Sequence, residues 1–215
     1  PEARARQQLL DRFKTLEAAT KLKDIASVFH LKNALAYLAA AVVTGHWDSY
    51  ARLANNDYLY AHRDGRLRII AWDMDNTFGS GVGWGFRTVD ADICRFGSNS
   101  AHIRLFQPLL QDPRWHRYYR TLVGRLVKEL YESGAAYRMI DRWKNLIRKA
   151  VYEDRRKDID WRIADHDQAN RVWESATELG PLLWNRSGFR GGNGALKAWL
   201  DARSASIRGQ LASLH

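Results

Sequence analysis

The residues best suited to chemistry are three aspartates and one asparagine: Asp48, Asn56, Asp73 and Asp75. Asp48 stands near the start of a polar loop, and Asn56 follows eight residues later. Asp73 and Asp75 end the apolar run of "IIAWDMDNTFG", and they point to the same side if the chain stays extended. Carboxylate and amide oxygens hold Mg²⁺ together with substrate phosphates and water. A carboxylate can also receive the proton of an attacking hydroxyl, so the set is suited to phosphoryl transfer.

The element that must bring these residues together is a β-hairpin. The segment "DYLYAHRDGRLRIIAWDMD" predicts strands over Tyr58–His62 and Leu67–Trp72. Asp64-Gly65 between them predicts a tight turn with positive φ. Such a hairpin returns Asp73 toward the start of the first strand, near Asn56. We therefore predict one shared acidic site at the open end of the hairpin.

The rest of the sequence predicts helices. "PEARARQQLLDRFKTLEAAT" has apolar residues at helical spacing, and a second helix is predicted from Asp24, as its N-cap, to Gly45. From about Ile103 the chain is again helical, with a break at Asp112-Pro113 and a closing helix over "ALKAWLDARSASIRGQLASL". Further helices are predicted over "AAYRMIDRWKNLIRKAVYEDRRKD" and "DIDWRIADHDQANRVWESATEL", and Gly-rich loops over "GSGVGWGF" and "NRSGFRGGNG". The predicted fold class is α+β, mostly α, with one hairpin in a single helical domain over residues 1–215.

Composition excludes several classes of protein. With 46% apolar and 12% aromatic residues in 215, the chain is long and apolar enough to bury a core. The most apolar stretch, "IASVFHLKNALAYLAAAVVTG", carries His30, Lys32 and Asn33, so we predict a buried helix and no membrane span. The single cysteine, Cys94, excludes an internal disulfide framework and a Cys-type zinc site. No signal-peptide pattern is visible, and the compartment stays open.

The net charge of +10 indicates an anionic partner. The basic residues are interleaved with acidic ones along the predicted helices, which is typical of solvated helix faces. We expect an acidic protein substrate or a nucleotide as the partner. A nucleic acid is less favoured, and it would give a steep dependence of affinity on salt.

A phosphatase is one alternative interpretation of the same residues. "IIAWDMDNT" fits the Asp-x-Asp-x-Thr pattern of haloacid-dehalogenase-like phosphatases. Asp73 would then be the nucleophile, Asp75 the acid/base and Thr77 a phosphate contact. That fold requires alternating strands and helices that build a parallel sheet. Because almost only helices are predicted after Thr77, this interpretation is less favoured.

A longer motif resembles one known family. "GHWDSYARLANNDYLYAHRDGRLRIIAWDMDNTFG", Gly45 to Gly79, is similar to the core signature of the spore-coat CotH kinase family. That signature joins a Gly-Asn-Trp-Asp-Ser-Tyr type segment, an Asn-x-Tyr-Leu-Tyr type strand and a Trp-Asp-Leu-Asp-x-x-Phe-Gly type strand end. His46 stands where Asn is usual, and Asp57 where an aromatic residue is common. The helices on either side resemble the family more loosely.

The resemblance implies an atypical protein kinase that uses ATP with Mg²⁺ or Mn²⁺ and phosphorylates Ser or Thr of proteins. It places Asp48 on the catalytic-loop aspartate, the base. Asn56 falls on the metal-binding asparagine and Asp73 on the metal-binding aspartate, while Asp75 falls on a second acidic position. Trp72 beside Asp73 is a candidate nucleotide contact, although packing is the first expectation for it, as it is for Trp47.

The resemblance also implies a protein larger than this chain. In the family, the ATP-contacting lysine and the strands that cover the nucleotide precede the signature, whereas the residues before Gly45 read as helices. We therefore expect a fragment, the catalytic-site half of a kinase, with the nucleotide-covering lobe before Pro1. The alternative is a non-catalytic, kinase-like scaffold in a coat or envelope assembly. An extracytoplasmic or coat-associated location follows from the resemblance alone.

Overall fold

The computed structural model describes residues 2–79, 88–97, 102–154 and 196–213. The chain divides into two compact units. Unit 1 comprises Pro1–Val42, Trp47–Met74 and Cys94–Val123, and unit 2 comprises Val43–His46, Asp75–Ile93 and Gly124–His215. Helices dominate the described residues, with one two-stranded antiparallel sheet among them. The predicted class, α+β and mostly α, is confirmed.

The described elements follow the predicted order. They are α1 (Glu2–Glu17), α2 (Leu22–Val28), α3 (Leu31–Thr44), β1 (Asp57–Ala61), β2 (Leu67–Ala71), α4 (Gln107–Gln111), α5 (Pro113–Leu126), α6 (Ala135–Glu153) and α7 (Leu196–Ser213). A π-helical turn, His102–Phe106, leads into α4, and another, Val127–Glu132, follows α5. The predicted helix over "DIDWRIADHDQANRVWESATEL" and the predicted Gly-rich loops, apart from Gly79, lie outside the described residues.

The predicted second helix is two helices, and the prediction of one was wrong. The helix is interrupted at Phe29, whose backbone is extended and forms a parallel bridge with Leu67. The His30 N–H then donates to the Leu67 carbonyl at 3.0 Å. The predicted N-cap, Asp24, is instead the third residue of α2, and its carboxylate accepts the Lys21 N–H at 3.3 Å. The interruption supplies β2 with a backbone partner on its outer edge.

The hairpin is present, with a different turn from the one predicted. β1 and β2 pair with Tyr58 opposite Ile70, and each strand ends one residue earlier than predicted. At the tip, the His62 N–H donates to the Arg66 carbonyl at 3.0 Å and the Gly65 N–H to the His62 carbonyl at 2.9 Å. Of the predicted pair, Gly65 alone has positive φ (81°). This is a turn closed by a left-handed glycine bulge, and Asp64 stays in ordinary backbone space while its carboxylate accepts the Arg66 N–H at 3.1 Å.

Helix α3 is the central element of unit 1. Its Ala34, Leu35 and Leu38 are fully buried, as predicted for a core helix. The inner side of β2 adds Leu67 and Ile69 to the same core. In the part of the chain that the structure describes, we find no helix whose length and hydropathy would let it cross a membrane.

Unit 2 is built on α7. The predicted closing helix is confirmed, and Trp199, Leu200 and Ile207 are buried on its apolar side. The buried Arg203 guanidinium donates to the Val89 carbonyl at 3.3 Å and to the Ala91 carbonyl at 2.7 Å. A buried cation that is bonded in this way ties the 88–93 segment to the helix.

Helix α6 presents an apolar stripe that unit 2 leaves exposed. None of its described residues is buried. Met139, Trp143 and Ile147 line an apolar cavity of about 370 Å³ together with Phe78 and Leu200. The prediction of a helix over this segment is confirmed for Ala135–Glu153, and the apolar side of the helix lines a groove and not a closed core.

His30 couples the start of α3 to pH. Its Nδ1 accepts the Asn33 N–H at 3.2 Å, which caps the first turn of the helix. Burial, followed by the charges of Arg68 and Arg66, lowers the pKa of His30, and the charge of Asp64 opposes this only in part. The folded protein therefore binds a proton at His30 less readily than the unfolded chain does. Neutral His30 therefore contributes to the free energy of unfolding. This contribution is fully present above the unfolded pKa of about 6.5 and is lost as pH falls from there toward the lowered pKa of the folded protein.

We predict that His30→Asn removes this pH dependence, because asparagine is a good N-cap and does not titrate. Urea unfolding at pH 7.5, 6.5, 5.5 and 5.0 measures it. The wild type should lose stability relative to the variant as pH falls through this range. A constant difference between the two would contradict the assignment.

Candidate functional site

Asp48 is held by two side-chain amides. The Asn56 Nδ2 donates to one carboxylate oxygen at 2.6 Å, and the Asn55 Nδ2 to the other at 3.1 Å. Hydrogen bonds to a carboxylate are strong, so both oxygens of Asp48 have fixed directions. Because Asn56 uses its amide nitrogen on Asp48, the carboxamide oxygen is the atom that remains to face a cation.

The loop that carries Asp48 is a tight turn and not an open segment. The Ser49 carbonyl accepts the N–H groups of Arg52, Leu53 and Ala54 at 3.0, 2.9 and 3.1 Å. The loop ends at Asn56 in the left-handed region, with φ 52°. Asparagine tolerates this conformation better than most residues do. An eight-residue spacing thus closes on itself and brings Asn56 back to Asp48.

The backbone at Gly97 lies in close contact with the backbone of this loop. A Cβ at position 97 would lie 1.9 Å from the Ala51 carbonyl oxygen and 2.9 Å from its carbon. Neither atom belongs to a flexible side chain, so the clash could be relieved only by a shift of the backbone.

We predict that Gly97→Ala destabilises the protein by about 1–3 kcal/mol, the usual cost of overpacking. Gly209→Ala is the matched control, because Gly209 lies within α7 with nothing within 4 Å of the added Cβ. That control should be neutral or stabilising by up to about 1 kcal/mol. Chemical denaturation of both variants tests the pair, and equal effects would mean that the approach at Gly97 is not tight.

The hairpin places the strand end beside Asn56. The Trp72 N–H donates to the Asn56 carbonyl at 3.3 Å, one step beyond the Asp57–Ala71 pair. Asp73 follows immediately, is exposed and has φ 49°. Asn56 therefore contacts both arms, through its side chain to Asp48 and through its backbone to the residue before Asp73.

Asp75 does not follow the expected geometry. The expectation that it points to the same side as Asp73 required an extended chain, whereas the chain leaves the strand at Ala71 and turns at Asp73. Asp75 is exposed and begins a segment of unit 2. In that unit the Phe78 N–H donates to the Thr44 carbonyl at 2.7 Å, and the fully buried His46 places Nδ1 3.3 Å from the Asn76 carbonyl.

The phosphatase interpretation does not find its context in the described residues. β2 is one strand of an antiparallel hairpin, and the described sheet has two strands. Thr77, the predicted phosphate contact, is 7% exposed.

An exposed aromatic face lies beside the strand end. Tyr58, Ile70 and Trp72 are 55%, 48% and 58% exposed, and the Tyr58 and Trp72 rings meet edge to face at 5.2 Å. Trp47 is buried, which confirms the packing expected of it. Packing was also the first expectation for Trp72, which contacts the Tyr58 ring but is 58% exposed. Trp72 lies on the solvent face of the hairpin because side chains alternate along β2 and the adjoining residue.

Asp57 is a titratable group that the sequence marked only as a departure from the family pattern. It begins β1 next to Asn56, and burial raises its pKa to about 6. Burial, followed by the charge of Asp57, raises the pKa of Tyr50 to about 12. In the sequence, the only indication of this raised pKa was the position of Asp57, a carboxylate immediately before a predicted strand.

The oxygen atoms at this site suit a hard divalent cation. Among the described residues, no group of three or more His, Cys, Asp or Glu side chains could hold a metal ion. Mg²⁺ does not require such a group, because it binds through one or two carboxylates and completes its shell with phosphate and water. The carboxylate of Asp73 and the carboxamide oxygen of Asn56 are donors of this type, so the residues fit the cation.

A loop aspartate bonded to a loop asparagine, with a hairpin that returns a second aspartate, is the arrangement of a kinase-like protein. The chain belongs to the CotH kinase protein family, whose model matches residues 3–207. The resemblance found in the central motif is thereby confirmed over nearly the whole chain. Membership implies ATP and a divalent metal as cofactors and proteins as substrates. No curated protein matches the chain.

Proposed function

We propose that this protein transfers the γ-phosphoryl group of ATP to Ser or Thr of protein substrates. The observation that supports this most directly is the position of Asn56. Its side chain is bonded to Asp48, and its carbonyl is bonded to the backbone of Trp72, next to Asp73. Asn56 thus links Asp48, the proposed proton acceptor, to the strand end that carries Asp73, the proposed metal ligand. Its own carboxamide oxygen is the second proposed ligand.

Each residue has a distinct role in this proposal. Asp48 receives the proton of the attacking hydroxyl, and the amides of Asn55 and Asn56 keep its carboxylate oriented. Asn56 and Asp73 hold Mg²⁺ or Mn²⁺, which neutralises the phosphate oxygens of the nucleotide when bound. The proposal rests on these residues, and Asp75 is not needed for it.

The aromatic face of the hairpin supports nucleotide binding. Tyr58 and Trp72 offer exposed ring surface directly beside Asn56 and Asp73. Stacking of a base on an aromatic ring contributes about 1–3 kcal/mol. We place the base of ATP on this face, with Trp72 as a contact, because its phosphates would then lie toward the acidic residues.

The charge of the chain favours an acidic substrate. The net charge of +10 attracts anionic proteins over a long range, and the attraction weakens as salt is raised.

The test is transfer of label from γ-labelled ATP to an unphosphorylated acidic protein rich in Ser and Thr. With Mg²⁺ or Mn²⁺ present, we expect label on Ser or Thr, and EDTA should abolish it. Metal-dependent ATP binding without transfer to the substrate or to the protein itself would replace this proposal with the scaffold alternative. An absence of both binding and transfer would overturn it as well.

A further inference from the structure

We infer that helix α3 sets the distance between the two halves of the candidate site, through the side chains of Asn33 and Tyr37. Asn33 holds the strand that ends in Asp73, and Tyr37 holds the loop that begins with Asp48. The inference rests on the proposed function for its catalytic consequence. Its geometric content can be tested separately.

On the outer edge of β2, the Asn33 side chain forms the hydrogen bonds that a neighbouring strand would otherwise form. Its Oδ1 accepts the Ile69 N–H at 2.8 Å, and its Nδ2 donates to the Ile69 carbonyl at 3.3 Å. One carboxamide thus satisfies both backbone groups of a buried residue. Together with the His30–Leu67 hydrogen bond, it fixes β2 against the start of α3. A two-stranded hairpin is marginal alone, so this anchoring decides where the strand lies.

Tyr37 holds the loop that begins with Asp48, which is the other half of the candidate site. Its hydroxyl oxygen accepts the Tyr50 N–H at 2.9 Å, two residues after Asp48. Burial raises the pKa of Tyr37 well above its ordinary value, so the hydroxyl stays neutral. Asn33 and Tyr37 are four residues apart, which places them one turn apart on the same side of α3. A single rigid turn of helix therefore carries both anchors.

The two anchors position the two segments to which Asn56 is bonded. Asn56 bonds to Asp48 in the loop and to Trp72 at the strand end. If either anchor is lost, one arm can shift while the other remains on the helix. A displacement of 1 Å at a catalytic centre can lower the rate about a hundredfold. Asn33 and Tyr37 are thus positioning residues, because they touch neither reacting group.

Tyr37→Phe and Asn33→Ala test the inference. Tyr37→Phe removes one oxygen and keeps the ring, so it decides the matter if Asn33→Ala fails to fold. Lys32→Ala is the matched control, since Lys32 is exposed on the same helix. We expect kcat to fall at least about tenfold in both test variants, with KM for the protein substrate nearly unchanged and the control equal to wild type. Folded test variants with wild-type kcat would overturn the inference.

Amide hydrogen exchange gives a readout that does not need activity. The Trp72 N–H, which bonds to Asn56, should exchange at least about tenfold faster in either test variant than in wild type. The Gly65 N–H at the hairpin tip should be unchanged and serves as an internal reference. An inactive wild type would defeat the proposed function, whereas the exchange data would still decide the inference. Unchanged exchange at Trp72 in both variants would overturn it.

Discussion

Asp73→Asn is expected to lower phosphoryl transfer at least about a hundredfold while leaving the fold intact. The variant removes the negative charge that would hold the divalent cation. Asparagine is the right substitute because Asp73 has φ 49°, a conformation that asparagine accepts and alanine adopts only with strain. Loss of activity in this variant is then attributable to the carboxylate and not to a displaced backbone. Label transfer at saturating ATP and metal measures it.

Two further aspartate-to-asparagine variants, one a control and one a second test, complete this mutagenesis experiment. Asp11→Asn removes a carboxylate from the exposed side of α1 and should leave transfer unchanged. Asp48→Asn should lower kcat by a comparable factor while metal-dependent ATP binding persists, because Asp48 acts as base and not as ligand. Wild-type activity in Asp73→Asn would remove this aspartate from the site.

Trp199→Ala is expected to destabilise the protein by about 3–5 kcal/mol, the cost of emptying a large buried aromatic site. Trp199 is fully buried in unit 2, and its ring lies 5.8 Å from that of Phe78 at 87°. The ring also fills the space above Gly45, where a Cβ would come within 2.7 Å of it. Thermal and urea unfolding, followed by far-UV circular dichroism, measure the loss.

Trp143→Ala is the matched control for the same substitution. Trp143 is 52% exposed on α6, so its removal should cost less than about 1 kcal/mol. Equal losses for the two variants would show that the apolar stripe of α6 is covered in solution and would contradict its description as an open groove.

The hairpin could be predicted because its signal is local. Asp64-Gly65 sits between two segments of alternating character, and the same alternation places Leu67 and Ile69 inside. The closeness of Asp48 and Asn56 also depends on local sequence. The two residues are eight positions apart in a short loop that leads into the first strand of the hairpin. These features depend on residues near one another in sequence.

Other features could not be predicted, because distant residues impose them. The break at Phe29 does not disturb the helical pattern of the sequence, and at this break the extended Phe29 forms a parallel bridge with the distant Leu67. Asn33 looked only like a polar residue in an apolar helix, and its role depends on Ile69, 36 residues away. The left-handed backbone of Asp73, with φ 49°, ends the extended chain on which the expectation for Asp75 depended, and residue spacing does not encode this angle.

Paramagnetic broadening by Mn²⁺ in the presence of ATP tests the central claim most directly. With the full chain labelled with ¹⁵N, we expect the strongest broadening at the Asn56 side-chain amide, the Asp73 backbone amide and the Trp72 indole. Gly65 at the far end of the hairpin should be much less affected, and Asp73→Asn should abolish the effect at all three. Broadening centred elsewhere, or unchanged broadening in Asp73→Asn, would contradict a cation site shared by Asn56 and Asp73.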